Sequence, residues 1–265
     1  MYKLIKLNIA IKPNINIEYN GYFQDEYELV QFYLSTLVKN GQIMSNYSII
    51  KSNKKYIVYC TIPDITTLSE KYNNEYTNIA LKYLNIFFEI IGDDLSFYED
   101  CSYSNSSWYL LYSDYESSND ESPLKCGDCG NDIPLYKTPY LFGEKEHLTL
   151  LNYQKLYACV DTIWMESLSD RYSKNQLTNT GSALVKQGLK IRQELEAKLN
   201  KPVYLFVRKP IGGLFDFENN NFEIDVCPIC KEKLDPSLNQ DLCGKMCHHC
   251  RIAFNNPYGK ISKND

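Results

Sequence analysis

The stretch CPICKEKLDPSLNQDLCGKMCHHC, residues 227–250, restricts the fold more than any other part of the chain. Cys227 and Cys230 form one CxxC pair, Cys247 and Cys250 a second, and 16 residues lie between the pairs. Within a CxxC, two thiolates reach one ion from a single tight turn. Two such turns supply four soft ligands in a tetrahedron, the geometry zinc accepts in closed structural sites. The intervening length suits a short hairpin, so the spacing predicts a zinc ribbon held by Cys227, Cys230, Cys247 and Cys250. Iron fits the same sulfur tetrahedron, and disulfides or idle thiols are the plainer alternatives. A closed four-sulfur site has no position for water, which points to structure rather than hydrolysis. Metal binding would then supply folding free energy to a segment too small to fold alone. Cys243, His248 and His249 are surplus: Cys243 could compete as a ligand, and the histidines lie inside the second knuckle, where side chains usually point outward.

A third pair, Cys126 and Cys129, stands in CGDCG, where Gly127 and Gly130 give the backbone room for a tight turn. One CxxC brings only two ligands, and Cys101, Cys159 and His147 are the candidate partners. Three readings stay open: a second metal site, reduced structural thiols, and a thioredoxin-like redox motif. The last would usually open a helix, whereas NDIPLYKTP follows here with two prolines and strand character.

Ten cysteines could also mean a secreted disulfide framework. The start MYKLIKLNIA lacks a long apolar core with a small-residue cleavage site, and no apolar run reaches the ~18 residues that span a bilayer. The expectation is a soluble cytoplasmic protein with reduced, metal-binding thiols.

Polar breaks divide the chain. YKLIKLNIAIK alternates as a half-buried strand does. QDEYELVQFYLSTLVKNG has helix spacing and stops at Gly41. YSIIKSNKKYIVYCTIP reads as two strands around a polar turn. TTLSEKYNNEYTNIALKYLNIFFEIIG reads as one helix, capped by Thr67 or Ser69 and stopped at Gly92, and SSWYLLYSDY as a strand. The order β-α-β-β-α-β matches a ferredoxin-like α+β unit over residues 1–117. A second α+β part, residues 123–212, holds the CGDCG knuckle running into a strand, two helices (KEHLTLLNYQKLYACVDTIWMESL and TGSALVKQGLKIRQELEAKLNK) and the strand PVYLFVRKP. IGGLFDFENNN links it to the ribbon, residues 222–258.

These motifs carry a resemblance. ESPLKCGDCGNDIPLY, together with LVKNGQIM, LSEKYNNEY, YQKLYACVD, LVKQGLKIRQELE and the paired terminal CxxC, resembles a bacterial Zn-ribbon-containing family of unknown function whose label suggests nucleic-acid binding. The doubled cysteine motif is also similar, over fewer residues, to the double-CXXCG proteins, some of which serve as immunity proteins against bacterial toxins. Neither resemblance implies a catalytic residue. The second terminal knuckle, CHHCR, is bulkier than the glycine-containing form common in ribbons.

No GxSxG, HExxH, P-loop or dinucleotide motif is present, and His147 is the one histidine outside the ribbon, so the expectation is a binding protein rather than an enzyme. Charge bears on the partner. Net charge is −5; residues 1–125 hold 10 basic against 16 acidic residues, and the rest hold 18 against 17. Within the second half, residues 185–209 carry seven basic and two acidic residues. Lys186, Lys190, Arg192, Lys198, Arg208 and Lys209 are the best candidate phosphate contacts. The acidic first half, with part of the chain's 23 tyrosines, suits a basic protein such as a toxin instead. A macromolecular partner is therefore expected, with protein favoured over nucleic acid.

Overall fold

The structure is a computed structural model that describes residues 2–13, 21–53, 55–94, 100–101, 106–115, 122–166, 168–208 and 224–254. The linker at 211–221 and Lys209 lie outside the described residues. The chain is α+β, with two sheets and two compact units. One unit comprises residues 1–100 and 134–148, the other residues 101–133 and 149–265.

In the first unit, β1 (Lys3–Ile11) alternates as its sequence predicts, with Ile5, Leu7 and Ile9 fully buried. Helix α1 (Glu26–Lys39) starts at Asp25, whose carboxylate accepts from the Glu28 amide at 2.8 Å. It ends before Gly41, which takes φ 68° against the Leu135 side chain. β2 (Ser48–Ser52) and β3 (Lys55–Ile62) form the expected hairpin. The apolar stripe Leu29, Leu34 and Leu37 of α1 covers Val58, Cys60 and Ile62 of β3 and the buried row of β1 in one core.

The long second helix does not form as the periodicity predicts. A 3-10 turn occupies Glu70–Tyr72, and α2 spans only Glu75–Leu81, capped by Asn74 through the Thr77 amide at 2.8 Å. The Lys12 ammonium donates to the carbonyls of Leu81 and Lys82 just past the helix end. LNIFFEIIGD then becomes β4 (Leu84–Asp93), antiparallel to β1 with Ile9 opposite Ile86 and Leu7 opposite Phe88. A run rich in Ile and Phe suits a pleated surface, and ten residues of ladder outweigh a continued helix. The sheet order is β2-β3-β1-β4, every neighbouring pair antiparallel, so β4 is an edge.

The strand expected over SSWYLLYSDY, residues 106–115, forms only at β5 (Tyr109–Leu111), and it belongs to the other sheet. It pairs with β6 (Leu124–Cys126) and lies parallel to β7 (Val203–Val207). The knuckle after β6 runs not into a strand but into a 3-10 turn at Leu135–Lys137. Helices α3 (Leu148–Met165) and α5 (Ala183–Leu199) form where predicted, with a short unpredicted α4 (Asp170–Thr178) between them. Ser182 caps α5, and Asn200 ends it in the left-handed region before Pro202. Gly188 lets α5 lie on Leu205 and the Tyr153 hydroxyl, both of which a Cβ there would overlap.

All five residues of β7 are buried: α5 lies on Leu205, the Trp108 and Tyr112 rings lie against Tyr204 and Phe206, and strands pair with both of its edges. On its far side lies β10 (Ile252–Phe254), parallel to it, then β9 (Lys245–Cys247) and β8 (Asp235–Pro236). The terminal cysteine segment thus completes a six-stranded sheet, β6-β5-β7-β10-β9-β8.

Candidate metal centres

The four terminal cysteines converge. Their sulfurs all lie within 4.8 Å of one another, and Cys230 Sγ is 3.5 Å from Cys247 Sγ. Zinc with sulfurs at about 2.3 Å in a tetrahedron sets them about 3.8 Å apart, so the cage has the right size. The first knuckle closes through the Cys227 amide to the Glu232 carbonyl at 2.8 Å and the Lys231 amide to the Cys227 carbonyl at 3.0 Å. The second is the β9–β10 turn, where the Cys250 amide donates to Cys247 Sγ at 3.3 Å. In each, the residue after the second cysteine crosses into positive φ: Lys231 at 65° and Arg251 at 56°. Burial alone raises the Cys227 thiol, but amides of Cys230 and Ile229 and the neighbouring thiols bring it below its ordinary value. Burial, then hydrogen bonding with the Cys230 and Cys227 thiols and charge at Cys227, push Cys247 up to about 11 and Cys250 further still. Such crowding of negative charge is what a divalent cation relieves.

The surplus residues of this segment find structural roles. Cys243 is buried against the Ser237 hydroxyl at 3.1 Å and stands outside the cage. His248 Nδ1 meets the Tyr204 hydroxyl at 2.6 Å, and the Arg251 guanidinium donates to the same oxygen at 2.9 Å. Arg251 also faces Glu196 of α5 at 3.6 Å. These contacts tie the second knuckle to β7 and α5. His249 is exposed, with Glu232 3.7 Å away.

A second cluster joins Cys126 and Cys129 to Cys101, all three sulfurs within 4.8 Å of one another. Of the candidate partners, Cys159 is exposed on α3, and His147 lies buried in the first unit. The knuckle has the same build as the others: the Cys126 amide donates to the Asn131 carbonyl, the Gly130 amide to the Cys126 carbonyl, and Gly130 takes φ 82°. Cys101 is fixed by its amide, which donates to the Asp132 carbonyl at 2.8 Å. Gly127 lies flat against Trp108, and a Cβ there would run into the indole. Around the sulfurs, the Ser106 hydroxyl is 3.0 Å from Cys126 Sγ, and Asp128 accepts from the Ser107 amide at 2.6 Å. Burial raises the Cys126 thiol, yet Ser106 and the amides of Cys129 and Asp128 bring it below its ordinary value; Cys129, with burial dominant, lies above.

The basic residues do not form one free stripe. Lys186 and Lys190 are exposed on α5. Arg192 pairs with Glu196 at 3.1 Å, and Lys198 with Glu194 at 3.7 Å. Arg208 turns inward: it pairs with the fully buried Asp161 and lies over the Trp164 ring. No helix among the described residues is long and apolar enough to cross a membrane.

Comparison with known proteins names no activity. Residues 103–208 match the model of a domain of unknown function, DUF2310. The chain is similar to two uncharacterized proteins of Haemophilus influenzae. One is 27% identical over 177 residues, covering 63% of this chain and 64% of the relative. The other is 25% identical over 146 residues, covering 54% and 68%. The chain thus spans just under two thirds of the first relative's length. No solved structure matches.

Proposed function

We propose that this chain is a non-enzymatic zinc protein that acts by binding a macromolecular partner, and that the partner is a protein. The carrying observation is β4. Phe87, Phe88, Ile90 and Ile91 are 72, 43, 52 and 51% exposed on an edge strand. Phe88 and Ile90 stand opposite the core residues Leu7 and Ile5, so they continue the core face beyond what the helices cover. A long apolar edge presents unpaired backbone groups beside side-chain anchors, the means by which sheets capture another chain. Nucleic acid would not select such a surface. The acidic first half adds a field that speeds capture of a basic partner, as a toxin held by an immunity-type protein would be.

The supporting architecture is a ferredoxin-like first unit, for which the antiparallel order β2-β3-β1-β4 speaks, and a zinc ribbon built on the four-cysteine cage. Zinc here is scaffold: Cys227, Cys230, Cys247 and Cys250 hold the ion, and the ion fixes β9 and β10 against β7.

The nucleic-acid alternative rests on Lys186 and Lys190, exposed on one helix face. Binding of single-stranded and duplex RNA and DNA, titrated with salt, separates the two. We expect no measurable affinity near physiological salt. A cross-linked protein partner should be recovered with the native chain and lost with Phe88→Lys plus Ile90→Lys. Submicromolar nucleic-acid binding that falls with Lys186→Gln plus Lys190→Gln, its salt slope reduced by about 0.7–0.9 per contact, would overturn the reading.

A further inference from the structure

The two cysteine clusters differ in one respect that decides their chemistry. All ten cysteines and all three histidines lie among the described residues, so the ligand count is complete for these types. The terminal cage has four sulfurs; the other cluster has three, and no further Cys or His joins it. Among the described residues no carboxylate joins it either, and the nearby Asp128 is engaged by Ser107. Three thiolates bind zinc tightly but leave one tetrahedral position that no described residue fills, the arrangement of an open rather than a closed site.

A cavity lies beside this cluster. It measures about 550 Å³ and is bounded by Cys129 with the rest of its knuckle on one side and by the loop before β9, residues 238–242, on the other. The Asn239 side-chain Nδ2 donates to the Gly127 carbonyl at 3.1 Å and holds the loop over the knuckle. The lining is polar, with Asp128, Asn131, Asn239, Gln240 and Asp241, and it contains no Lys or Arg. Cys101 and Cys126 are buried while Cys129 is partly exposed, so access runs past Cys129.

We propose that Cys101, Cys126 and Cys129 hold a second zinc ion whose fourth ligand is exogenous: water at rest, displaced by a small neutral or cationic thiol or imidazole entering from this cavity. Charge sets the preference. Zinc with three thiolates carries a net −1, so an anionic donor is repelled where an aminothiol is not. Displacement is plain ligand exchange: the incoming thiol gives its proton to bulk solvent as its sulfur binds, water leaves, and nothing is oxidised or reduced.

Cadmium-113 NMR of the intact chain reads each site separately, because a four-sulfur cadmium resonates further downfield than one with three sulfurs and an oxygen or nitrogen. We expect two cadmium ions per chain and two resonances. The upfield one should shift on adding cysteamine, at lower concentration than with thioglycolate, while the downfield one stays in place. Cys101→Ser should remove the moving resonance alone, and Cys159→Ser should change nothing. A single cadmium per chain, two resonances both in the four-sulfur range, or an upfield resonance indifferent to cysteamine would each overturn the proposal. So would equal sensitivity to the two thiols, because the net charge of the three-thiolate site would then play no part. The native-chain titration decides the matter even if Cys101→Ser fails to fold.

Discussion

At the scale of single residues, knuckle geometry explains why two glycines of CGDCG cannot be exchanged alike. Gly130 supplies positive φ, a conformation that Lys231 and Arg251 adopt in the other knuckles, so its replacement by alanine costs about 1 kcal/mol. Gly127 instead yields space to Trp108, and the indole cannot retreat without disturbing Tyr204, whose ring stands 5.5 Å away. Gly127→Ala should therefore destabilise the second unit by more than Gly130→Ala, roughly 2–3 kcal/mol as an overpacking strain; denaturant midpoints of the two variants compare them directly. His147 offers a second test. Its ring is buried beside Tyr140, with Nδ1 3.4 Å from the Thr138 hydroxyl, and burial pulls it down to about 4 from the ordinary 6.5. Between those values the unfolded chain takes up a proton that the folded chain refuses. Stability is full above pH 6.5 and falls as pH drops toward 4, by up to about 3 kcal/mol. In a proton NMR titration, the His147 signal should stay fixed down to about pH 5. A His147→Gln variant should show a shallower acid loss in the first unit.

At the scale of elements, the buried pair of Asp161 on α3 and Arg208 after β7 makes a sharper case. Asp161 also accepts from the Tyr115 amide at 2.9 Å, yet its Oδ1 and the Arg208 Nε find no partner among the described residues. Burial raises the Asp161 carboxyl and the guanidinium opposes that rise. Removing one partner strands a charge, so Asp161→Asn or Arg208→Gln should each cost about 3–5 kcal/mol, whereas Asp161→Leu with Arg208→Met should cost far less. Similar losses for all three variants in urea titrations would mean that packing, not charge, dominates here. The same pair shows where sequence reading stops. The ligand spacing of Cys227, Cys230, Cys247 and Cys250 is legible because metal chemistry dictates it locally. The inward turn of Arg208 depends on Asp161, 47 residues earlier, so a basic count along 185–209 cannot see it. Likewise 84–91 satisfies helix and strand patterns alike, and only the ladder with β1 decides for β4. Cys101 was nameable as a ligand candidate beside Cys159 and His147, but only the Cys101–Asp132 contact selects it.

At the scale of the whole molecule, the terminal cysteine segment is part of a larger sheet rather than an appended module. The sheet continues through β10 onto β7, where Ile252 stands opposite Leu205 and Phe254 opposite Val207, all buried. Metal removal should therefore be felt beyond the knuckles. Structural zinc contributes about 10–16 kcal/mol of apparent binding free energy, as much as the 5–15 kcal/mol that holds a typical domain together. Strands of two and three residues cannot replace that with backbone pairing alone. The first unit has its own core, from Ile5 to Leu84, and holds neither cysteine cluster. Chelation should thus collapse the amide NMR signals of Lys245–Cys247 and Ile252–Phe254 toward random-coil positions and weaken those of Val203–Val207. The signals of Lys3–Ile11 and Lys55–Ile62 should stay dispersed, and Cys227→Ser with Cys250→Ser should reproduce the pattern without chelator. Full retention of the β10 signals after complete metal loss would show that packing on β7, not an ion, holds the terminal cysteine segment in place.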